Sequence, residues 1–233
     1  MPRRRPLEAA AALRRLVANP EDTAQVFVIM RALSGDALVQ GHARFAKTDV
    51  GAAVLREERD LLDVLCDRAR LHSMPEGSLG RTYLDFVEAN GIAAEGLVEA
   101  SEPTAEDYTD LTPSEGHYAR RLRDQHDLWH VLTGYSTQPY GEVCVVAFSY
   151  PQTTNLGFAA IALIGALKIA KESGSRQIFR DAWEAYRRGR RARWLPGADW
   201  EALLARPLAQ VRAELGIEPR EQRVTTSELP QAA

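Results

Sequence analysis

Two histidines, His126 and His130, stand four residues apart in the segment Arg121-Leu122-Arg123-Asp124-Gln125-His126-Asp127-Leu128-Trp129-His130. Asp127 adjoins the first, and Glu142 follows the second by twelve residues. On a helix, residues four apart lie on one face, about 40° apart around the axis, and consecutive residues are about 100° apart. A single cation can therefore meet two imidazoles and a carboxylate, with Glu142 closing the site from the next element. Two histidines with two carboxylates are oxygen-rich for a structural zinc site, which usually carries thiolates. The set suits Zn, Mn, Fe or Co without choosing among them. It is not the metalloprotease H-E-x-x-H pattern, because Asp127 replaces the glutamate that serves there as base, and its shorter side chain is better placed to ligate. A helical His-Asp phosphohydrolase would need further ligands, and only His42, His72 and His117 remain to supply histidine.

The elements that must hold these residues are helical. Pro6 opens a helix over Leu7 to Ala18, ended by Asn19-Pro20. Asp22 and Gln25 make a capping box for the run up to Leu33, and Asp36 caps a short helix carrying Leu38 and Phe45. Asp49 precedes a longer segment that buries Val54, Leu61 and Leu65 and stops before Pro75. Glu95 to Asp110 is acidic and reads as an exposed connection. Thr112-Pro113-Ser114-Glu115 is a helix start with a capping box, from which one helix is expected to run to a stop at Gly134. Glu142 to Phe148 suits either helix or strand, because β-branched residues favour the latter. Leu156 to Leu167 is an unbroken apolar run, too short for a bilayer span of ~20 residues. It is either a central core helix or the wall of an apolar groove. Ser175 to Arg191 is helical with Ile178, Phe179, Trp183 and Tyr186 as its apolar stripe, and Pro207 opens a last helix ending at Gly216.

Length and composition set the outer bounds. A chain of 233 residues, 45% hydrophobic, can bury a large core in one domain. We expect a single all-α multi-helix bundle over 1–233, with an ordered core of about 7–216 and a loose tail over 217–233. Net charge −3 argues against nucleic acid as a partner. Cys66 and Cys144 make no disulfide framework and fit a reducing compartment. The basic lead Met1 to Pro6 is followed by no apolar core or cleavage site, so no secretory signal is expected. Arg14 and Arg15 extend that lead, which also leaves an organellar presequence open as the alternative.

The spacing His126-Asp127-x-x-His130-x(11)-Glu142 resembles the signature of the fourth Coq protein, a family of ubiquinone (coenzyme Q) biosynthesis. Pro75 to Tyr83 is similar to the family's P-x-x-S-L-G-x-x-Y segment, and Arg121 to Gly134 to its R-x-R-D-x-H-D-L-W-H-V-x-T-G core. Trp200 to Ile217 is similar to its P-L-x-x-V-R-x-x-L-G-I ending. The resemblance covers about residues 15 to 218.

It implies an all-helical protein with a metal site at a helix end, and His126, Asp127, His130 and Glu142 as ligands of a divalent ion, usually assigned as zinc. The implied substrates are polyprenylated hydroxybenzoates, whose ring carboxylate is replaced by hydroxyl. The rival implication is a non-catalytic lipid-binding scaffold for the other coenzyme Q enzymes, and a phosphohydrolase is the more distant third. The implied setting is a homo-oligomer on a membrane surface, either the cytoplasmic face of a bacterial inner membrane or the matrix side of the mitochondrial one. Arg121, Arg123 and Asp124 are near enough in sequence to orient the ligands, or else are solvated helix-face charges. Leu156, Phe158, Ile161, Leu163 and Ile164 are the candidates for an apolar groove taking a prenyl lipid. Arg187, Arg188, Arg190, Arg191 and Arg193 either rest on anionic headgroups or form an exposed helix end.

Overall fold

A computed structural model describes residues 4–19, 22, 24–91 and 111–218, and every named element among them is helical. In chain order these are α1 (Pro6–Ala18), α2 (Ala24–Ser34), α3 (Ala37–Phe45), α4 (Asp49–Glu57), α5 (Leu61–Cys66), α6 (Arg68–Ser73) and α7 (Leu79–Ala89). They continue with α8 (Pro113–Asp124), α9 (His126–Thr133), α10 (Pro139–Thr153), α11 (Leu156–Ser173) and α12 (Gln177–Arg191). A 3-10 turn (Leu195–Gly197), α13 (Trp200–Leu203) and α14 (Leu208–Leu215) close the chain. The acidic stretch Glu95 to Asp110 and the tail from residue 219 lie outside the described residues. The all-α architecture expected from the sequence is the one observed.

Several boundaries differ from the pattern. The segment after Asp49 is three helices: Glu58 turns left-handed (φ 50), and Asp60 and Asp67 each cap a new start with their carboxylates. Thr112 and Glu115 form the expected capping box, but the helix they start breaks at Gln125, so the histidine pair occupies its own two-turn helix, α9. Residues 142–148 are helical within α10 despite their β-branched side chains. They are buried nearly all round between α11 and α12, and packing overrides propensity there. Pro151 lies inside α10, which nonetheless continues to Thr153. The apolar run forms α11 and is not a central core helix. It buries only Gly157, Phe158, Ala162 and Ala166, and leaves Leu163 and Leu167 more than half exposed. Trp183, placed on the apolar stripe of α12, is 60% exposed. No helix among the described residues is long and apolar enough to cross a membrane.

The main core gathers α7, α9, α10 and α12 around Leu79, Tyr83, Leu128, Leu132, Phe148 and Trp200. Two segments far apart in sequence are stitched together beneath it. The amides of Leu79 and Gly80 donate to the carbonyls of Arg206 and Leu204, and Leu208 N–H donates to Gly77. This join seats α7, whose Phe86 reaches His130.

Arg121 is 1% exposed and donates two hydrogen bonds of 2.7 Å to the Glu201 carboxylate, tying α8 to α13. Burial alone would raise the Glu201 carboxyl, but the hydrogen bonds and charge of Arg121 outweigh it and hold it below its ordinary value. The pair therefore contributes stability above the ordinary carboxylate range, lost as pH falls through the lowered folded value. Glu201→Ala strands a buried guanidinium and is expected to cost ~3–5 kcal/mol by urea unfolding, whereas an apolar pair at both positions should recover most of it. An unchanged unfolding midpoint for Glu201→Ala would contradict this account.

Candidate metal centre

The site is built where α9 ends and α10 begins. Gly134 takes the left-handed conformation (φ 75) that stops α9, a conformation an L side chain resists. The chain then folds back so tightly that a Cβ on Gly141 would sit 2.0 Å from the Ser136 carbonyl oxygen. Pro139 opens α10, and Glu142 faces α9 from its first turn. The carbonyls at the end of α9 are satisfied from distant helices. Arg212 donates to Val131 and Leu132, and Arg188 donates to Thr133.

His126 and His130 bring their Nε2 atoms to 3.1 Å of each other, with the rings at 81°. Glu142 places Oε1 3.2 Å from His130 Nε2 and Oε2 3.5 Å from His126 Nε2. Nδ1 of His130 lies 3.0 Å from the Tyr135 carbonyl oxygen. A carbonyl can only accept, so Nδ1 carries a proton, and Nε2 is the nitrogen that faces His126 and Glu142 and that a metal would take in place of a proton. Phe86 stacks on the same ring at 5.7 Å and holds its plane. This is the arrangement by which metal-binding imidazoles are oriented through their outer nitrogen.

One ligand atom from each of His126, His130 and Glu142 falls in a group no wider than 4.8 Å. Asp127 stands outside that group, because neighbours in sequence are ~100° apart on the helix. It is buried, and its Oδ2 has no hydrogen-bond partner among the described residues. Burial pushes its carboxyl up, with the two imidazoles opposing and Glu142 reinforcing. An orphaned buried carboxylate oxygen beside converging lone pairs is the environment a divalent cation satisfies, so the residues present fit a metal.

The remaining candidates are placed elsewhere. Arg121 is buried and not solvated, and its guanidinium is committed to Glu201. Arg123 pairs with Asp124 at 2.8 Å, and the other oxygen of that buried carboxylate has no partner. Of the five groove candidates only Leu163 lines the apolar groove of about 360 Å³ between α10, α11 and α12. Phe158 is buried in the core and Ile161 packs against it, while Leu156 and Ile164 do not line the groove. Phe86 and the Tyr135 carbonyl escape sequence reasoning, the first because it lies 40 residues upstream and the second because backbone groups carry no pattern.

The family model for the coenzyme Q (ubiquinone) biosynthesis protein Coq4 matches residues 3–221. The chain belongs to this family. The ubiquinone biosynthesis protein COQ4 homolog, mitochondrial, of Rattus norvegicus is 32% identical over 74% of the chain and 63% of its own length. The mitochondrial coq-4 protein of Neurospora crassa is 29% identical over 72% of the chain and 46% of its own length. The chain thus spans about three fifths of the mammalian relatives it matches and under half of this fungal one. The crystal structure of a Nostoc punctiforme protein assigned to ubiquinone biosynthesis shares the fold at TM-score 0.64 and 20% identity, over 90% of this chain and 96% of that one.

Two outcomes test the site. His130→Ala should lose bound divalent metal by elemental analysis, with an affinity loss beyond the ~10–100-fold typical of losing an outer partner; full metal content in that variant would refute the ligand set. The pH dependence of the metal-free protein has a defined sign. For His126, burial opposes the charge, but the Glu142 hydrogen bond and the Glu142 and Asp127 charges raise it above its ordinary value. For Glu142, burial raises it, and hydrogen bonds from His126 and His130 bring it down to about 2. The histidine contribution is full below the ordinary imidazole pKa and lost as pH rises through the raised one. The glutamate contribution is present above the ordinary carboxylate pKa and lost as pH falls towards about 2. Melting temperatures of metal-free protein should therefore peak between the two ordinary values, and added metal should move the peak to higher pH because ligands must be deprotonated.

Proposed function

We propose that this chain is a metal-dependent protein of ubiquinone biosynthesis that replaces the ring carboxylate of a polyprenylated hydroxybenzoate by hydroxyl. The observation supporting this most is the open-sided His126–His130–Glu142 group in a chain of the Coq4 family. Closed structural sites use four protein ligands, whereas catalytic ones keep a position for substrate or water. Here Glu142 is 39% and His126 28% exposed on the side chain, so the group faces solvent on one flank while His130 is sealed behind it. Two histidines and one carboxylate suit Fe(II) as well as Zn, and a divalent ion held there supplies Lewis acidity toward the substrate carboxylate.

The protein's own groups do the positioning. His130, fixed by Tyr135 and Phe86, presents Nε2 to the site. Glu142 holds His126 and His130 in register, and buried Asp127 adds negative charge beside them. The apolar groove, with Leu163, Phe179 and Trp183 on its walls, takes the prenyl tail. Elsewhere on α11, Gly165 packs closely against Val143, the neighbour of Glu142. Exchange of carboxylate for hydroxyl with loss of carbon dioxide oxidises the substrate by two electrons; with dioxygen as the oxidant and water as the source of the hydroxyl, the ring–carboxylate bond breaks, carbon dioxide leaves and dioxygen is reduced to hydrogen peroxide. The reading places the protein among other coenzyme Q biosynthetic enzymes at a membrane surface.

Metal-loaded protein given carboxyl-labelled prenyl hydroxybenzoate and dioxygen should release labelled carbon dioxide, and His130→Ala should not. Full metal occupancy without release would assign a non-catalytic scaffold. Hydrolysis of phosphate esters instead would assign a phosphohydrolase.

A further inference from the structure

Arg188 does not belong to an exposed helix end. It is half-buried, and its guanidinium turns inward to the loop that returns the chain from α9 to α10. Nη1 donates to the Tyr135 hydroxyl at 2.9 Å, and the guanidinium lies 5.2 Å over the same ring. Nη2 donates to the carbonyls of Thr133 at 3.2 Å and Glu218 at 2.6 Å. One side chain therefore grips the residues on either side of Gly134, the left-handed stop of α9. The tie matters because Tyr135 is also the residue whose carbonyl accepts from Nδ1 of His130. Tyr135 lies outside any helix, so no helical ladder fixes where that carbonyl points.

The other end of the tie is fixed as well. The next residue, Gly189, packs so closely on α10 that a Cβ there would sit 2.2 Å from the Phe148 carbonyl oxygen. Gln152 of α10 donates to the Gly189 carbonyl at 2.6 Å. Arg188 thus projects from a point locked to the helix that carries Glu142, and it reaches the loop that aims His130. A guanidinium suits this span, because its planar fork holds a hydroxyl and two carbonyls at fixed angles, where an ammonium is a compact point charge. We propose that Arg188 is a positioning residue for the metal centre. By holding Tyr135 it keeps His130 Nε2 in register with Glu142, and so sets the affinity for the ion. The proposal rests on the metal reading of the centre and not on the decarboxylation.

Titration of the metal-free full chain with Co(II), followed by its visible absorption, tests the assignment. Arg188→Met should weaken binding about tenfold, the low end of the range typical of losing an outer partner, and should shift the absorption band. Tyr135→Phe removes only the hydroxyl and should move affinity and band in the same direction. The double variant should lose no more than Arg188→Met alone, the non-additivity expected of one linkage. Arg188→Lys keeps the charge without the fork and should not restore wild-type binding. Glu201→Ala, which lowers stability through another contact, should bind Co(II) as wild type does. Wild-type affinity and band in Arg188→Met and Tyr135→Phe would overturn the proposal and leave the metal centre standing; should Arg188→Met not fold, Tyr135→Phe decides alone. Full recovery in Arg188→Lys would make charge the cause, and an equal loss in Glu201→Ala would make global stability the cause; either overturns it. A wild type that takes up no Co(II) would overturn the metal reading and this proposal together.

Discussion

The hydrogen bond between His130 Nδ1 and the Tyr135 carbonyl is the contact on which the centre depends. It does two things at once. It fixes the ring orientation that turns His130 Nε2 toward His126 and Glu142, and it closes the loop that returns the chain from α9 to α10. Gly134 and Gly141 make that return possible, one by its left-handed turn and the other by lacking a side chain where the Ser136 carbonyl passes. Glu142 comes into range of both imidazoles because the loop is short and locked.

A two-turn helix is marginal by itself, and α9 is held by its surroundings. Its last carbonyls accept from Arg212 on α14 and Arg188 on α12, an arrangement that satisfies orphan acceptors and places positive charge at a helix C-terminus. On the other side, α7 brings Phe86 against His130, and α7 is itself seated by backbone hydrogen bonds to Leu204, Arg206 and Leu208. The three sequence segments that resemble the family thus meet in space. The upstream Ser78-Leu79-Gly80 segment and the C-terminal segment with Pro207 and Arg212 converge on the helix that carries the histidines.

Signals that act within one turn were legible in the residues: the Thr112–Glu115 box and the Gly134 stop. Signals that depend on a distant partner were not. The break at Gln125 carries no proline or glycine, and the buried Arg121 reads as a helix-face charge until Glu201, 80 residues on, is seen to meet it. The apolar run of α11 illustrates the same limit. Hydrophobicity all round is compatible with burial on every side, yet Gly157, Phe158, Ala162 and Ala166 face the core while Leu163 and Leu167 face out.

By itself the sequence determined the donor types and the spacing that puts His126 and His130 on one helical face, because helix geometry is local and periodic. It also carried the family, since three motifs of defined spacing are improbable together. Only the tertiary structure decided that His126, His130 and Glu142 form the tight group while Asp127 stands outside it with an unpartnered oxygen. The reason is that ligand convergence is a matter of angle and approach between elements, and those are set by packing between helices distant in sequence, which no local pattern encodes.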